Sequence, residues 1–359
     1  MVRSAGSPGV RGSRAQTSRV IPNRASRACP SRAAITRRTS PRRPRPGPPR
    51  IAARLGQALL ALFGMTLLVW ALLPLTPGDP AERTIRGRGN LEPEPAQVAA
   101  LRQELGLDRP LPEQYAVWLS KLVRGQLGIS YRSKQPVERE LASRVAATLL
   151  LAAGGVVVAV AIALPLALLA ARHQDRWPDQ AARMFALVGT SLPSFWIGLL
   201  LLDLFAVRLR WTSALAKPDL AHLPLPAFVL GLGLASVLTR ILRAGLVGEL
   251  GRRYALVMRA RGAGQWHVLV RHALPNASLP GINVLALGIG GLLGGAAAVE
   301  TVFTWPGMGL YIVDAIGARD LPVVQGFAVI SAGIFILCNL GADLLAMTVD
   351  PRLRQQAQR

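Results

Sequence analysis

Read as hydrophobic against polar positions, the chain alternates between long apolar runs and charged connections. The apolar runs fall at about residues 55–75, 148–171, 185–207, 223–239, 279–299 and 325–347. Each is close to the ~20 residues that cross a hydrocarbon core of about 30 Å as a helix. The second run carries no charge, the third holds Asp203 near its end, the fourth contains Gly and Pro and stops at Arg240, and the sixth encloses Asp343. In the fifth, Gly288, Gly290, Gly291, Gly294 and Gly295 form a series that lets neighbouring helices approach closely. The pattern predicts an all-α membrane protein with six transmembrane helices.

Between the runs the chain divides by composition. Residues 1–50 are rich in Ser, Pro and Arg, show no apolar periodicity, and cannot bury enough surface to offset the entropy of ordering. A disordered tail is expected there; a transit peptide has a similar composition, and a misplaced start is a further explanation. A first transmembrane helix follows at 51–76, then an external subdomain at 77–147, partly helical near 95–105 and 113–123. The transmembrane core occupies 148–350, and a cytoplasmic C-terminus 351–359.

Charge sets the expected orientation. Of the net +23, +14 lies in residues 1–54, which contain fourteen Arg and no acid, leaving +9 for the rest. Short connections at 172–183 and 240–271 carry three and seven basic residues, whereas 300–322 has only Arg319 beside Glu300, Asp314 and Asp320. By the positive-inside rule both termini are cytoplasmic. The segment at 76–147 mixes eleven basic with nine acidic residues and is long enough to escape the rule. Only 17% of residues are charged and mean hydropathy is +0.34, so the basic balance is not read as nucleic-acid binding. The Arg tail has no interleaved aromatics and supports only salt-sensitive, sequence-independent attraction. Cys29 and Cys338 suggest neither a disulfide framework nor a metal knot.

The connection at 250–280 is the most informative. No Asp or Glu occurs between Glu249 and Glu300, so this basic stretch either meets negative charge supplied from outside or stays uncompensated. Leu250, Tyr254 and Val257, then Val268 or Leu269 and Ala273, give helical spacing interrupted at Gly262 and Gly264. Two short helices meeting at a glycine turn are expected. Such a loop either lies on anionic lipid headgroups and fixes topology, or presents a docking helix to a cytoplasmic partner.

These residues resemble the integral membrane subunits of binding-protein-dependent ABC importers, in the dipeptide, oligopeptide and nickel branch. Tyr254, Arg259, Ala260, Arg261, Gly262, Arg271, His272, Ala273, Leu274, Asn276, Ala277, Leu279 and Pro280 match that branch's cytoplasmic motif at its spacing. Met258 and Arg259 stand where other branches have Glu and Ala, removing an acidic contact. Glu300, Phe303, Trp305, Pro306, Gly307 and Gly309 spell the branch's E-x-x-F-x-W-P-G-x-G, and Asp320, Pro322, Val323, Val324 and Gln325 follow. Upstream, Pro77 to Pro80, Leu105 to Asp108, Pro110, Tyr115, Leu127, Gly128, Ser130 and Pro136 are similar to the family's external subdomain.

The resemblance, over roughly residues 50–354, implies the type I permease fold of ABC importers with the external subdomain between helices 1 and 2. It implies alternating access at the bacterial inner membrane, driven by two separate cytoplasmic ABC ATPase subunits and fed by an extracytoplasmic solute-binding protein. A second homologous permease subunit and membrane lipid complete the expected partners, with no nucleic acid. Residues Tyr254, Arg259, Ala260, Arg261, Gly262, Arg271, His272 and Pro280 are the expected ATPase-coupling set. Glu300, Phe303, Trp305, Pro306 and Gly307 are expected as a structural lid on the outer face, against the alternatives of direct substrate contact and of an interfacial aromatic anchor. The cargo is a di- or oligopeptide or a nickel chelate, and both stay open.

The residues themselves fit a non-enzyme. A P-loop needs Gly-Lys followed by Ser or Thr, and none of the three lysines, Lys121, Lys134 and Lys217, follows a glycine. His173, His222, His267 and His272 show no i,i+4 ligand pairing, so no metal site or cofactor is expected. Asp203 and Asp343, costly inside a span, are candidates for the translocation path or for structural hydrogen bonding near a span's end. A secondary transporter or channel is the competing class, but it predicts inverted repeats or central charges, and neither is found.

Overall fold

The computed structural model describes residues 51–75, 78–87, 92–211 and 218–349, apart from the side chains of 51–55, 58, 73, 83, 87 and 342–349. The described chain is helical: α1 (Ile51–Leu75), α2 (Pro80–Gly87), α3 (Pro95–Glu104), α4 (Leu111–Val123), α5 (Val137–Arg172), α6 (Trp177–Ser191), α7 (Ser194–Leu202), α8 (Pro224–Leu250), α9 (Arg253–Ala260), α10 (Gln265–Val268), α11 (Leu274–Phe303), α12 (Met308–Gly317) and α13 (Leu321–Val349). Wider π turns continue α7 over Asp203–Arg208 and join α10 to α11 over Leu269–Ala273. Proline sits in the first turn of α3, α4, α6, α8 and α11, where its missing N–H has no partner to lose.

The centre of the fold is the pair α5 and α8, which run in the same direction. Gly155, Ala159, Ala163, Ala167 and Ala171 recur every fourth residue, and the four alanines are at most 2% exposed. That spacing puts them on one face. It lets α8 approach until a Cβ added at Gly231 would strike the Gly155 carbonyl. In lipid, where apolar side chains gain nothing by leaving solvent, such backbone proximity is what holds helices together. Helix α11 packs on α8 in the opposite sense: Gly281 faces Leu242 and Leu238, and Gly288 faces Leu234. Gly290 lies under the Phe335 ring of α13, whereas Gly291 and Gly294 have nothing within 4 Å of a Cβ. The expected close approach thus holds at part of the fifth-run glycine series, and the tighter contact lies in the small-residue stripe of α5.

By length and composition, Val137–Arg172, Pro224–Leu250, Gln265–Phe303 and Leu321–Gly341 suffice to cross a membrane, and the described apolar part of α1 is the shorter Leu59–Leu72. Two expectations are corrected. The third apolar run is not one straight span. It breaks after Ser191, and Trp177–Ser191 and Ser194–Arg208 meet at 99°. Pro193 is the cause, because it drives Leu192 to extended backbone (φ −88°, ψ 132°). The fourth run does not stop at Arg240 either. Helix α8 continues to Leu250 because Arg243 is matched by Asp179 of α6, a carboxylate 0% exposed that also accepts from Arg183 at 2.7 Å and from the Asp175 N–H at 3.0 Å.

The α2–α4 segment is tied down at both ends. Tyr115 hydrogen-bonds Thr66 of α1 at 2.9 Å and packs against the rings of Phe63 and Trp70. At its far end Ser130 Oγ donates to Asp320 Oδ2 at 2.6 Å, and the N–H groups of Tyr131 and Arg132 donate to the same carboxylate at 3.1 and 3.3 Å. Gln325 of α13 donates to the Val69 carbonyl of α1 at 3.2 Å.

Candidate functional site

Two constellations gather the residues singled out in the sequence, at opposite ends of α11. The first is a helical hairpin. Helix α9 buries Ala255 and half-buries Tyr254 and Met258; Leu256 and Val257 are exposed, so the inward face is shifted from the one that Val257 would give. Tyr254 donates its hydroxyl to Glu249 Oε2 at 2.9 Å, and Arg252 pairs with the other oxygen at 2.9 Å, fastening α9 to the end of α8. Burial, and then the hydrogen bond to Glu249, push the Tyr254 phenol above its usual range.

The turn after α9 is made by Gly262 at φ 87°, with its N–H on the Arg259 carbonyl at 3.0 Å. A Cβ there would meet nothing within 4 Å, so glycine is required by the backbone and not by space. Arg259, Ala260 and Arg261 are exposed around it, and among the described residues no carboxylate lies within ion-pair distance of either arginine. Arg271 and His272 stand apart, on the π turn, with the His272 ring 5.5 Å from that of His267. Pro280 is further on, inside α11.

The second constellation is a buried knot. Glu300, 0% exposed near the end of α11, accepts from Thr148 Oγ1 of α5 at 2.7 Å and from the Leu310 N–H of α12 at 2.9 Å. Thr148 in turn accepts from the Met308 N–H at 2.8 Å. Thr304 ends α11 in the left-handed region (φ 54°) and returns the chain so that Trp305, 0% exposed, donates its indole N–H to the Ala147 carbonyl at 2.9 Å. Phe303 is buried beside it. A Cβ at Gly307 would strike the Glu300 carboxylate, and one at Gly309 would lie 2.8 Å from the Ala297 nitrogen. Trp305 is therefore no interfacial anchor. It is a core residue, and the Glu300 carboxylate and the Trp305 indole N–H are both turned inward.

The remaining candidates fall outside both constellations. Asp203 is half exposed and pairs with Arg208 at 2.7 Å, five residues on, which the wider π turn brings onto one face. Asp343 lies on α13, with its side chain outside the described residues. Sequence reading missed the Asp179–Arg243 pair and the Asp320 clasp. Ser130 and Asp320 were each quotable as motif residues, but a bond across 190 positions leaves no local trace.

The helical bundle, the exposed hairpin and the knot together have the character of a multi-pass membrane subunit, and comparison with known proteins places it. Residues 163–355 match the family described as "Binding-protein-dependent transport system inner membrane component", and residues 50–152 match the N-terminal domain of the same systems. A protein of Brucella ovis named as a peptide permease is 39% identical over 312 residues, covering 84% of this chain and 97% of the relative. The glutathione transport system permease protein GsiC of Escherichia coli strain K12 is 37% identical over 304 residues, covering 85% and 98%. The chain belongs to the inner-membrane permeases of binding-protein-dependent ABC importers, in the peptide and nickel branch. It is accordingly a multi-pass transmembrane subunit without its own ATPase site, working with ATPase and substrate-binding protein partners.

Proposed function

We propose that the chain is one of two homologous permease subunits that import a peptide-like substrate by alternating access, powered by two ATPase subunits on the cytoplasmic side. The cargo reading leans on the relatives' names, peptide permease and glutathione permease, and those names favour peptide over a nickel chelate. Six spans, with the α2–α4 segment outside and both termini inside, follow from counting α1, α5, the bent α6–α7 pair, α8, α11 and α13 as crossings and from the basic connections at 172–183 and 240–271.

In this arrangement the α9–α10 hairpin faces the ATPase, and Arg259, Ala260, Arg261 and Gly262 form its contact surface. Tyr254 fixes its angle to α8, while Arg271, His272 and Pro280 carry its displacement into α11. The Glu300, Phe303, Trp305, Pro306 and Gly307 knot closes the outer end of the bundle. Asp203 and Asp343 stand near span ends, where they border the translocation path. The observation that carries the coupling role is the exposed turn at Gly262, whose φ of 87° is kept with no described atom within 4 Å of a Cβ and whose arginines pair with no carboxylate among the described residues.

Replacing Gly262 by a bulky residue tests it. Uptake of labelled peptide should be abolished while the protein stays inserted, because a Cβ at this position meets no described atom within 4 Å. Normal uptake in an inserted variant would remove the docking role.

A further inference from the structure

The hairpin of α9, the end of α8 and the turn between α5 and α6 border a cleft of about 720 Å³, whose lining combines Arg172, His173, Arg176 and Arg259 with Val247, Leu250 and Leu256. No acidic side chain lines it. The carboxylates nearby in sequence are engaged elsewhere: Asp175 with Arg183, Asp179 with Arg243 and Arg183, and Glu249 with Arg252 and Tyr254. Among the described residues, Arg172, Arg176 and Arg259 have no ion-pair partner, although the carboxylates of this end of the fold are all spoken for.

The cleft is also built. Gln265 donates to the Arg172 carbonyl at 3.1 Å, bridging α10 to the end of α5, and the Arg172 guanidinium lies 5.5 Å from the centre of the Trp266 ring. That aromatic face holds the arginine without neutralising it. Trp266 is 46% exposed and Trp177, next to Arg176, is 78% exposed, a placement suited to the headgroup level of a bilayer, where indole rings concentrate.

We infer that this cleft binds a phosphate-bearing anion through Arg172 and Arg176. Guanidinium groups match phosphate oxygens in a fork that an ammonium cannot reproduce. The apolar wall of Val247, Leu250 and Leu256 gives an acyl chain or glycerol backbone a surface to follow, as in basic pockets between transmembrane helices that hold anionic lipid headgroups. The volume falls within the range of ligand pockets generally. The site stands independently of the coupling role of α9, since an anion seated there would contact residues of the α5–α6 turn whether or not the hairpin docks on an ATPase.

The test uses the full chain in nanodiscs of phosphatidylcholine alone, of phosphatidylcholine with phosphatidylglycerol, and of phosphatidylcholine with inorganic phosphate against chloride at matched ionic strength. The midpoint of thermal unfolding should rise by a few degrees with phosphatidylglycerol if the source is a lipid, or with inorganic phosphate if it is a soluble anion; either result supports the site. The pair Arg172→Gln and Arg176→Gln should lose at least half of the rise, and Arg172→Lys with Arg176→Lys should retain part of it. Arg240→Gln with Arg253→Gln makes the same change in net charge outside the cleft and should keep the rise. No rise in the native chain overturns the inference, as would be found if a protein partner's carboxylates filled the cleft instead. Survival of the full rise in the Arg172 and Arg176 glutamine pair, or its equal loss in the control pair, overturns it too.

Discussion

The hairpin at Gly262 and the knot at Glu300 both depend on glycine and both hold charged side chains, yet they use them in opposite ways. In the knot, Gly307 and Gly309 are required by space, and Glu300 spends its acceptors on the Thr148 hydroxyl and the Leu310 N–H. At the hairpin, Gly262 is required by backbone angle alone, and Arg259 and Arg261 are exposed with no ion-pair partner among the described residues. In the function proposed above, the segment completed internally serves the fold, and the one left incomplete is complementary to something outside it. The two regions belong to one family signature and still answer to different physics.

That contrast can be broken by separating stability from transport. The largest effect is expected at Gly309→Val, where the new Cβ would sit 2.8 Å from the backbone nitrogen of Ala297. Backbone cannot step aside as a flexible side chain can, so a loss of about 3 kcal/mol follows, read as a fall in folded protein and in its thermal midpoint. Thr148→Val comes next. It strands the Met308 N–H and leaves Glu300 short of a donor inside the bundle, a cost of about 2 kcal/mol, seen as a lower midpoint that Thr148→Ser largely restores. Gly262→Val should cost only about 1–2 kcal/mol through the left-handed backbone and move the midpoint little, while peptide uptake disappears. A variant that melts like Gly309→Val would erase the distinction drawn here. The smallest effect belongs to Asp203→Asn, which opens an exposed pair worth about 0–1 kcal/mol; a large loss of uptake without a change in midpoint would sharpen the case for Asp203 beside the substrate path.

Much of this was legible beforehand, for reasons that differ by region. Helices expected near 95–105 and 113–123 are found at Pro95–Glu104 and Leu111–Val123, because a first-turn proline marks the start of each, joined in the second by Glu113. The glycine-turned pair at Gly262 was legible because backbone requirements are local. The break at Pro193 was not, since summed hydropathy over residues 185–207 is blind to a single residue that cannot continue a helix; the Leu192-Pro193 step was the available signal. The extent of α8 past Arg240 depended on Asp179, 64 positions from Arg243, and a charge counted as belonging to a loop proved to be matched by a neighbouring helix. The α5 alanine stripe was visible as spacing but carried no mark that distinguished it from the glycines of α11.

One consequence reaches beyond either constellation. Asp320 draws its donors from the single stretch Ser130, Tyr131 and Arg132, so the beginning of α13 and the strand of chain leading into α5 are riveted together as one lever. Any rocking of α13 at this end must drag that stretch with it, and a covalent staple across the two would leave the transport cycle undisturbed.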